Sequence, residues 1–143
     1  MKKILFVCTG NYFRSRFAEI YFNEKIKGKN LEWTAFSRGF DISNMHNKGF
    51  ISKFVIKNLK ELKISLSSKL NLPLLVKLED LLQAEKIIAL SEDEHRPYVK
   101  KMFPDWEQRF TFWNIRDLNE EDATTSLIKL KFELDKLIND ICT

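Results

Sequence analysis

Cysteine is scarce in this chain. Cys8 and Cys142 are the only two in 143 residues, which excludes a disulfide-rich scaffold and a zinc site of four thiolates. Histidine is equally rare, and His46 and His95 lack the spacing of a metal-binding pair. No metal or cofactor is expected. Three prolines and four glycines leave no linker or low-complexity tract. No apolar run approaches the roughly 20 residues of a membrane-spanning helix, so no membrane partner is expected. Charge of one sign is missing too: 24 Lys and Arg against 20 Asp and Glu give a formal charge of +4. That balance suits anionic substrates but is too diffuse to indicate nucleic acid.

What is present is enough for a core. Hydrophobic residues make up 44% of the chain and charged residues 31%, a globular composition, and the length fits one domain over residues 1–143. Met1-Lys2-Lys3 followed by Ile4-Leu5-Phe6-Val7-Cys8 superficially looks like the start of an exported lipoprotein. Only four apolar residues precede the Cys, against roughly 7–15 in a signal peptide, and no small residues form a cleavage site. A cytoplasmic protein is the expectation.

Ile4 to Val7 reads as a buried strand that breaks at Thr9-Gly10-Asn11. Phe17, Ile20, Tyr21 and Glu24 then fall at helical spacing, and Gly28 and Asn30 stop that helix. Leu31 to Phe36 reads as a second strand ending at Ser37-Arg38-Gly39, followed by a loop over 40–50. Ile51, Phe54, Val55, Asn58, Leu59 and Leu62 form a helical stripe, and a short helix is expected from Leu78 to Ala84. Lys86 to Leu90 is a third strand, Ser91 to Glu94 an acidic turn, and His95 to Met102 a helix ending before Pro104. Phe110 to Ile115 is a fourth strand, and Leu127 to Ile141 marks a terminal amphipathic helix. Strands alternating with helices predict an α/β fold: a parallel sheet of about four strands with helices on both faces. Ligands in such sheets bind beyond the carboxyl ends of the strands. The segments after residues 8, 36 and 115 are therefore where chemistry is to be sought.

The first of these carries it. Cys8-Thr9-Gly10-Asn11-Tyr12-Phe13-Arg14-Ser15 has the spacing C-x5-R-S between a strand and a helix. Successive backbone N–H groups in a tight loop make an anion nest, and the helix that follows adds its positive end. Arg14 offers a planar fork for two phosphate oxygens. Gly10 and Asn11 tolerate the left-handed backbone such a loop needs. Helix N-termini and nearby Arg favour a thiolate, the nucleophilic form of Cys8, and the Ser15 hydroxyl can donate to that sulfur. Taken alone, Cys8 would be an ordinary small core residue. The strand–loop–helix placement and the Arg six positions on turn the reading toward phosphate.

The loop resembles that of the low-molecular-weight protein tyrosine phosphatase family, whose pattern is C-x-G-N-x-x-R-S near the N-terminus. Ser37-Arg38-Gly39 resembles that family's Ser-x-Gly turn, with Ser37 in a supporting role, and Lys86 to Glu92 and Pro104 are similar to its next strand and helix end. The resemblance implies metal-independent phosphomonoester hydrolysis in two steps through a phosphocysteine. Phosphotyrosine in proteins is the leading substrate class, with small phosphomonoesters beside it, and the enzyme a monomer or weak homodimer. It also implies a general acid in an Asp-Pro step after the last strand. The matching place is Asp117-Leu118, so Asp117 is the choice; Asp105 is the runner-up and reads better as a capping or turn residue.

The match departs from the family in places. Leu118 replaces the proline, and Asn119, Glu120 and Glu121 stand where aromatic residues usually wall the cleft. Those acids favour a neutral or basic neighbour around the phosphate. Tyr12 and Phe13 are the available aromatic walls, with core packing the other reading of Phe13. A second Cys often stands at the position of Phe13; its absence predicts peroxide inactivation, and Cys142 is expected packed or exposed rather than paired. Arsenate reductases share the loop but require further cysteines. Protein-arginine phosphatases carry a small Thr at the place of Tyr12, though Glu120 and Glu121 keep that specificity open. A rival of another class is a phosphate-binding module without catalysis. His46 and His95 read as solvated loop residues, His46 with Met45 as a candidate for the cleft rim. Lys57, Lys60 and Lys63 read as the wet face of a helix.

Overall fold

The chain alternates apolar residues that face two layers, and its first strand shows this most clearly. In a computed structural model, residues 1–29, 32–44, 47, 49–67, 70–117 and 122–142 are described. Strands β1 (Lys2–Cys8), β2 (Trp33–Gly39), β3 (Lys86–Ala89) and β4 (Phe110–Phe112) alternate with helices α1 (Arg14–Ile26), α2 (Lys53–Glu61), α3 (Leu78–Gln83), α4 (Glu92–Met102) and α5 (Ala123–Cys142). The strands form one parallel sheet in the order β2-β1-β3-β4. The α/β fold expected from the alternation of elements is the one observed.

Side chains of a strand point alternately to opposite faces. Ile4, Phe6 and Cys8 accordingly join one core with Phe17 and Tyr21 of α1, Val55 and Leu59 of α2, and Leu130 and Leu134 of α5. Leu5 and Val7 enter the other, with Leu81 of α3, Val99 of α4 and Phe110. β1 is thus buried on both faces, which is why its sequence is continuously apolar rather than alternating.

Three boundaries differ from the sequence expectation. Ser37-Arg38-Gly39 is the end of β2 and not a turn, because it pairs with Phe6, Val7 and Cys8. Leu31 and Asn30, at the expected start of that strand and end of the first helix, lie outside the described residues. The acidic stretch after β3 is the first turn of α4, with Ser91 at the N-cap position and Glu92, Asp93 and Glu94 in the turn; carboxylates there meet the positive helix end. β4 pairs with β3 only from Phe110 to Phe112, yet Trp113 and Ile115 still donate N–H groups to the carbonyls of Ala89 and Leu90. That irregular run carries Asp117 to the carboxyl end of the sheet. A 3-10 helix, Pro104–Arg109, precedes β4 and was not foreseen.

Among the described residues no helix is long and apolar enough to cross a membrane.

Candidate active site

β1 and β3 are neighbours in the sheet, and the helices that follow them, α1 and α4, pack on its opposite faces. This is the topological switch point where parallel sheets open a crevice. The loop from Cys8 to Ser15 fills it. Asn11 sits at φ 52° and is fully buried. Its Nδ2 donates to Ser15 Oγ (3.0 Å) and Ser37 Oγ (2.9 Å), and its Oδ1 accepts from the Leu74 N–H (2.9 Å). One side chain therefore ties the loop to α1, to β2 and to the segment before α3. The carbonyls of Cys8, Thr9 and Tyr12 are taken by the N–H groups of Phe40, Asp41 and Ser52. A loop held by its carbonyl side is the arrangement an anion nest requires.

Gly39 is the residue against which this loop closes. A Cβ there would lie 2.5 Å from the Thr9 carbonyl oxygen and 2.9 Å from the Asn11 nitrogen, so only glycine permits the approach. Ser37, two residues earlier, is buried and donates to Glu19 Oε1 at 2.5 Å.

Cys8 is buried, with its Sγ 3.0 Å from Ser15 Oγ. Arg14, six residues on at the start of α1, is 2% exposed. Its NH1 donates to the Ile115 carbonyl (3.0 Å), and its guanidinium forks onto Glu94: NH2 to Oε2 at 2.6 Å, NH1 to Oε1 at 3.3 Å. Burial works against the Arg14 charge. Cys8, Glu94 and Asp117 outweigh it and hold the guanidinium above its ordinary range.

Glu94 was not singled out in the sequence, and neither was the role of His95. Thr9 Oγ1 donates to Glu94 Oε2 and lies 3.0 Å from His95 Nε2, which is 2.9 Å from the same carboxylate oxygen. The Ser91 N–H donates to His95 Nδ1 (3.1 Å), which places the ring proton on Nε2. Burial opposes charge on Glu94, but hydrogen bonds from His95, Arg14 and Thr9 hold it well below the usual carboxylate range. His95 is no solvated loop residue: it is fully buried in α4, and burial first, then the Arg14 charge, push it below its ordinary value. It is a neutral strut between the helix N-terminus and the carboxylate.

The cavity at the loop has a volume of about 480 Å³ and is lined by Cys8, Tyr12, Arg14, Asp41, Phe54 and Asp117. Asp117 Oδ2 is 4.0 Å from Arg14 NH2, and its side chain is 41% exposed. Thr9, Gly10 and Phe13 also line it; Phe13 is buried in the core as well, so both readings of it hold. Asp105 is exposed on the 3-10 helix and is not among the lining residues. Phe54 was taken for core but is 41% exposed and walls the cleft. Leu118, Asn119, Glu120, Glu121, Met45 and His46 lie outside the described residues. Among those described, no three His, Cys, Asp or Glu side chains group as a metal site, and Cys142 is free and exposed.

A parallel four-stranded sheet with a Cys–Arg anion loop at its switch point defines a class of phosphate-handling protein. The chain belongs to the low molecular weight phosphotyrosine protein phosphatase family, whose model matches residues 3–127. It is similar to the low molecular weight protein tyrosine phosphatase of T. tengcongensis, at 25% identity over 98% of this chain and 99% of that one, with a TM-score of 0.82. YfkJ from Bacillus subtilis shares the fold at 22% identity and a TM-score of 0.83, over 99% of this chain and 94% of that one. So does the YwlE arginine phosphatase from Geobacillus stearothermophilus, at 21% identity and a TM-score of 0.77, over 99% and 93%. No curated protein sequence matches the chain.

Proposed function

We propose that the chain hydrolyses phosphomonoesters in two steps through a phosphocysteine at Cys8, with phosphotyrosine in proteins as the leading substrate class. The observation that carries this is the grouping of Cys8, buried Arg14 and Asp117 around one cleft, with Ser15 Oγ 3.0 Å from the Cys8 sulfur. The Cys8 thiolate attacks phosphorus, the P–O bond to the leaving group breaks, and Asp117 gives its proton to the departing oxygen. Asp117 then takes a proton from water, the oxygen attacks phosphorus, and the S–P bond breaks. The Ser15 hydroxyl, donating to sulfur, stabilises the thiolate that leaves. Arg14 and the loop N–H groups meet the charge on the equatorial oxygens, so positioning and electrostatics carry the rate.

An aryl leaving group suits the walls. Tyr12 and Phe54 line the cleft, and flat aromatic sides favour a phenyl ring over a small polar one.

The test is hydrolysis of p-nitrophenyl phosphate in EDTA by wild type and Cys8→Ser. Turnover that survives EDTA and vanishes in the variant is expected. No turnover by folded, reduced wild type would leave a phosphate-binding module as the reading. Asp117→Asn should lower kcat by about 100-fold or more on phenyl phosphate and by less on p-nitrophenyl phosphate, whose leaving group needs little protonation. Equal losses on both would remove Asp117 as the acid.

A further inference from the structure

Phe54 lines two cavities. One is the cleft over Cys8; the other, of about 410 Å³, runs between α2 and the start of α5 and is lined by Lys57, Asn58, Glu61, Asp122 and Thr124. Phe54, Lys57, Asn58 and Glu61 recur at i, i+3, i+4 and i+7, one stripe along α2. This stripe turns away from the core that Val55 and Leu59 enter on the neighbouring face. A small phosphomonoester needs only the first cavity. Phe54 is 41% exposed and walls both, and the part of it that lines the second cavity is contact surface beyond the reach of such a substrate.

We propose that the groove between α2 and α5 is a second subsite, which receives the polypeptide flanking the phosphorylated residue and selects basic side chains there. The inference rests on the phosphatase reading and names its substrate more closely. Charge gives the preference: two carboxylates, Glu61 and Asp122, line the groove with one ammonium, that of Lys57. Thr125 donates its N–H and hydroxyl to Asp122 and keeps that carboxylate ionised. Length gives the register. Seven residues of helix from Phe54 to Glu61 span about 10 Å at 1.5 Å per residue, a distance that about three residues of extended chain cover. The favoured basic residue therefore lies two to four positions from the phosphotyrosine.

The experiment compares three substrates: p-nitrophenyl phosphate, and two phosphotyrosyl peptides carrying Lys or Glu at positions two to four on both sides. The expected result for wild type is a kcat/KM about fivefold higher on the basic peptide, the scale of an exposed charge pair, expressed in KM. Glu61→Lys, an exposed position away from the phosphate cradle, should abolish or invert that preference and leave p-nitrophenyl phosphate hydrolysis within about twofold of wild type. A preference that is absent in wild type, favours Glu, or survives Glu61→Lys would overturn the subsite while leaving the phosphatase intact. Peptides cleaved no better than p-nitrophenyl phosphate would do the same and point to a small substrate. Wild type inert toward p-nitrophenyl phosphate would overturn the phosphatase reading first, and the subsite with it.

Discussion

Replacing Glu94 by Gln keeps the shape of the side chain and removes its charge, leaving buried Arg14 with a weaker partner. Breaking one side of a fully buried pair costs about 3–5 kcal/mol, and a hydrogen bond to a charged group about 1.5–3 kcal/mol. The lower part of that span applies here. Glu94 is 26% exposed, and Arg14 keeps Asp117 at 4.0 Å and the Ile115 carbonyl at 3.0 Å. A loss of about 2–3 kcal/mol at pH 7 follows, or a fall in Tm of about 6–10 °C for a chain of this size. The assay is denaturant unfolding of both proteins from pH 8 to pH 3.5, with the pH dependence as the discriminating part. The Glu94 carboxyl is held below its unfolded value, so its stabilisation is complete above about pH 4.5 and is lost as pH falls toward its folded value. In that window the unfolded state binds one more proton than the folded, and the gap between wild type and Glu94→Gln narrows by up to about 1.4 kcal/mol per pH unit. His95, held neutral by burial, also weakens the fold below about pH 6.5, and more so in Glu94→Gln, which removes the carboxylate that favours its charge; repeating the comparison in a His95→Gln background separates the two. A gap under about 0.5 kcal/mol at neutral pH, or one that stays constant down to pH 3.5, would refute the view that Glu94 holds Arg14 by its charge.

Two further outcomes test the loop itself. Gly39→Ala drives a methyl group against the Thr9 carbonyl and the Asn11 amide; the expected cost is about 1–3 kcal/mol in denaturant unfolding, with p-nitrophenyl phosphate turnover reduced at least about tenfold as the loop shifts. A variant with wild-type turnover would show the approach to be tolerant. Peroxide should oxidise Cys8 to the sulfenic and then the sulfinic acid, because Phe13 stands where a resolving thiol is needed and Cys142 lies exposed at the far end of α5. Activity is expected to return with dithiothreitol after brief exposure only; full recovery after prolonged treatment would contradict this.

The Cys8–Ser15 loop was legible in the sequence because its reactive groups are local. A strand, a tight turn and a helix start within fifteen residues, and Cys8, Arg14 and Ser15 meet through the turn itself. The two-faced burial of β1 followed equally from its unbroken apolar run. Phe54 was misplaced for a reason of resolution: a stripe that takes in 54, 55, 58 and 59 together is too wide, and only Val55 and Leu59 turn inward. Periodicity finds the axis of an apolar face but not its edge.

Glu94 and His95 show what local reading omits. They stand about eighty residues from Arg14 and Thr9 in the chain, and nothing in Ser91-Glu92-Asp93-Glu94-His95 marks one carboxylate among three. What selects Glu94 is strand order. Placing β3 directly beside β1 sets the N-terminus of α4 against the loop after β1, and the third position of that helix points its carboxylate at the guanidinium. With β3 at the sheet edge instead, the same residues would be a solvated helix cap, and His95 would be exposed as first expected. The strand-end rule named the segments after residues 8, 36 and 115; applied with the order β2-β1-β3-β4 in hand, it adds the segment after β3. There the buried charge of Arg14 finds its counter-ion.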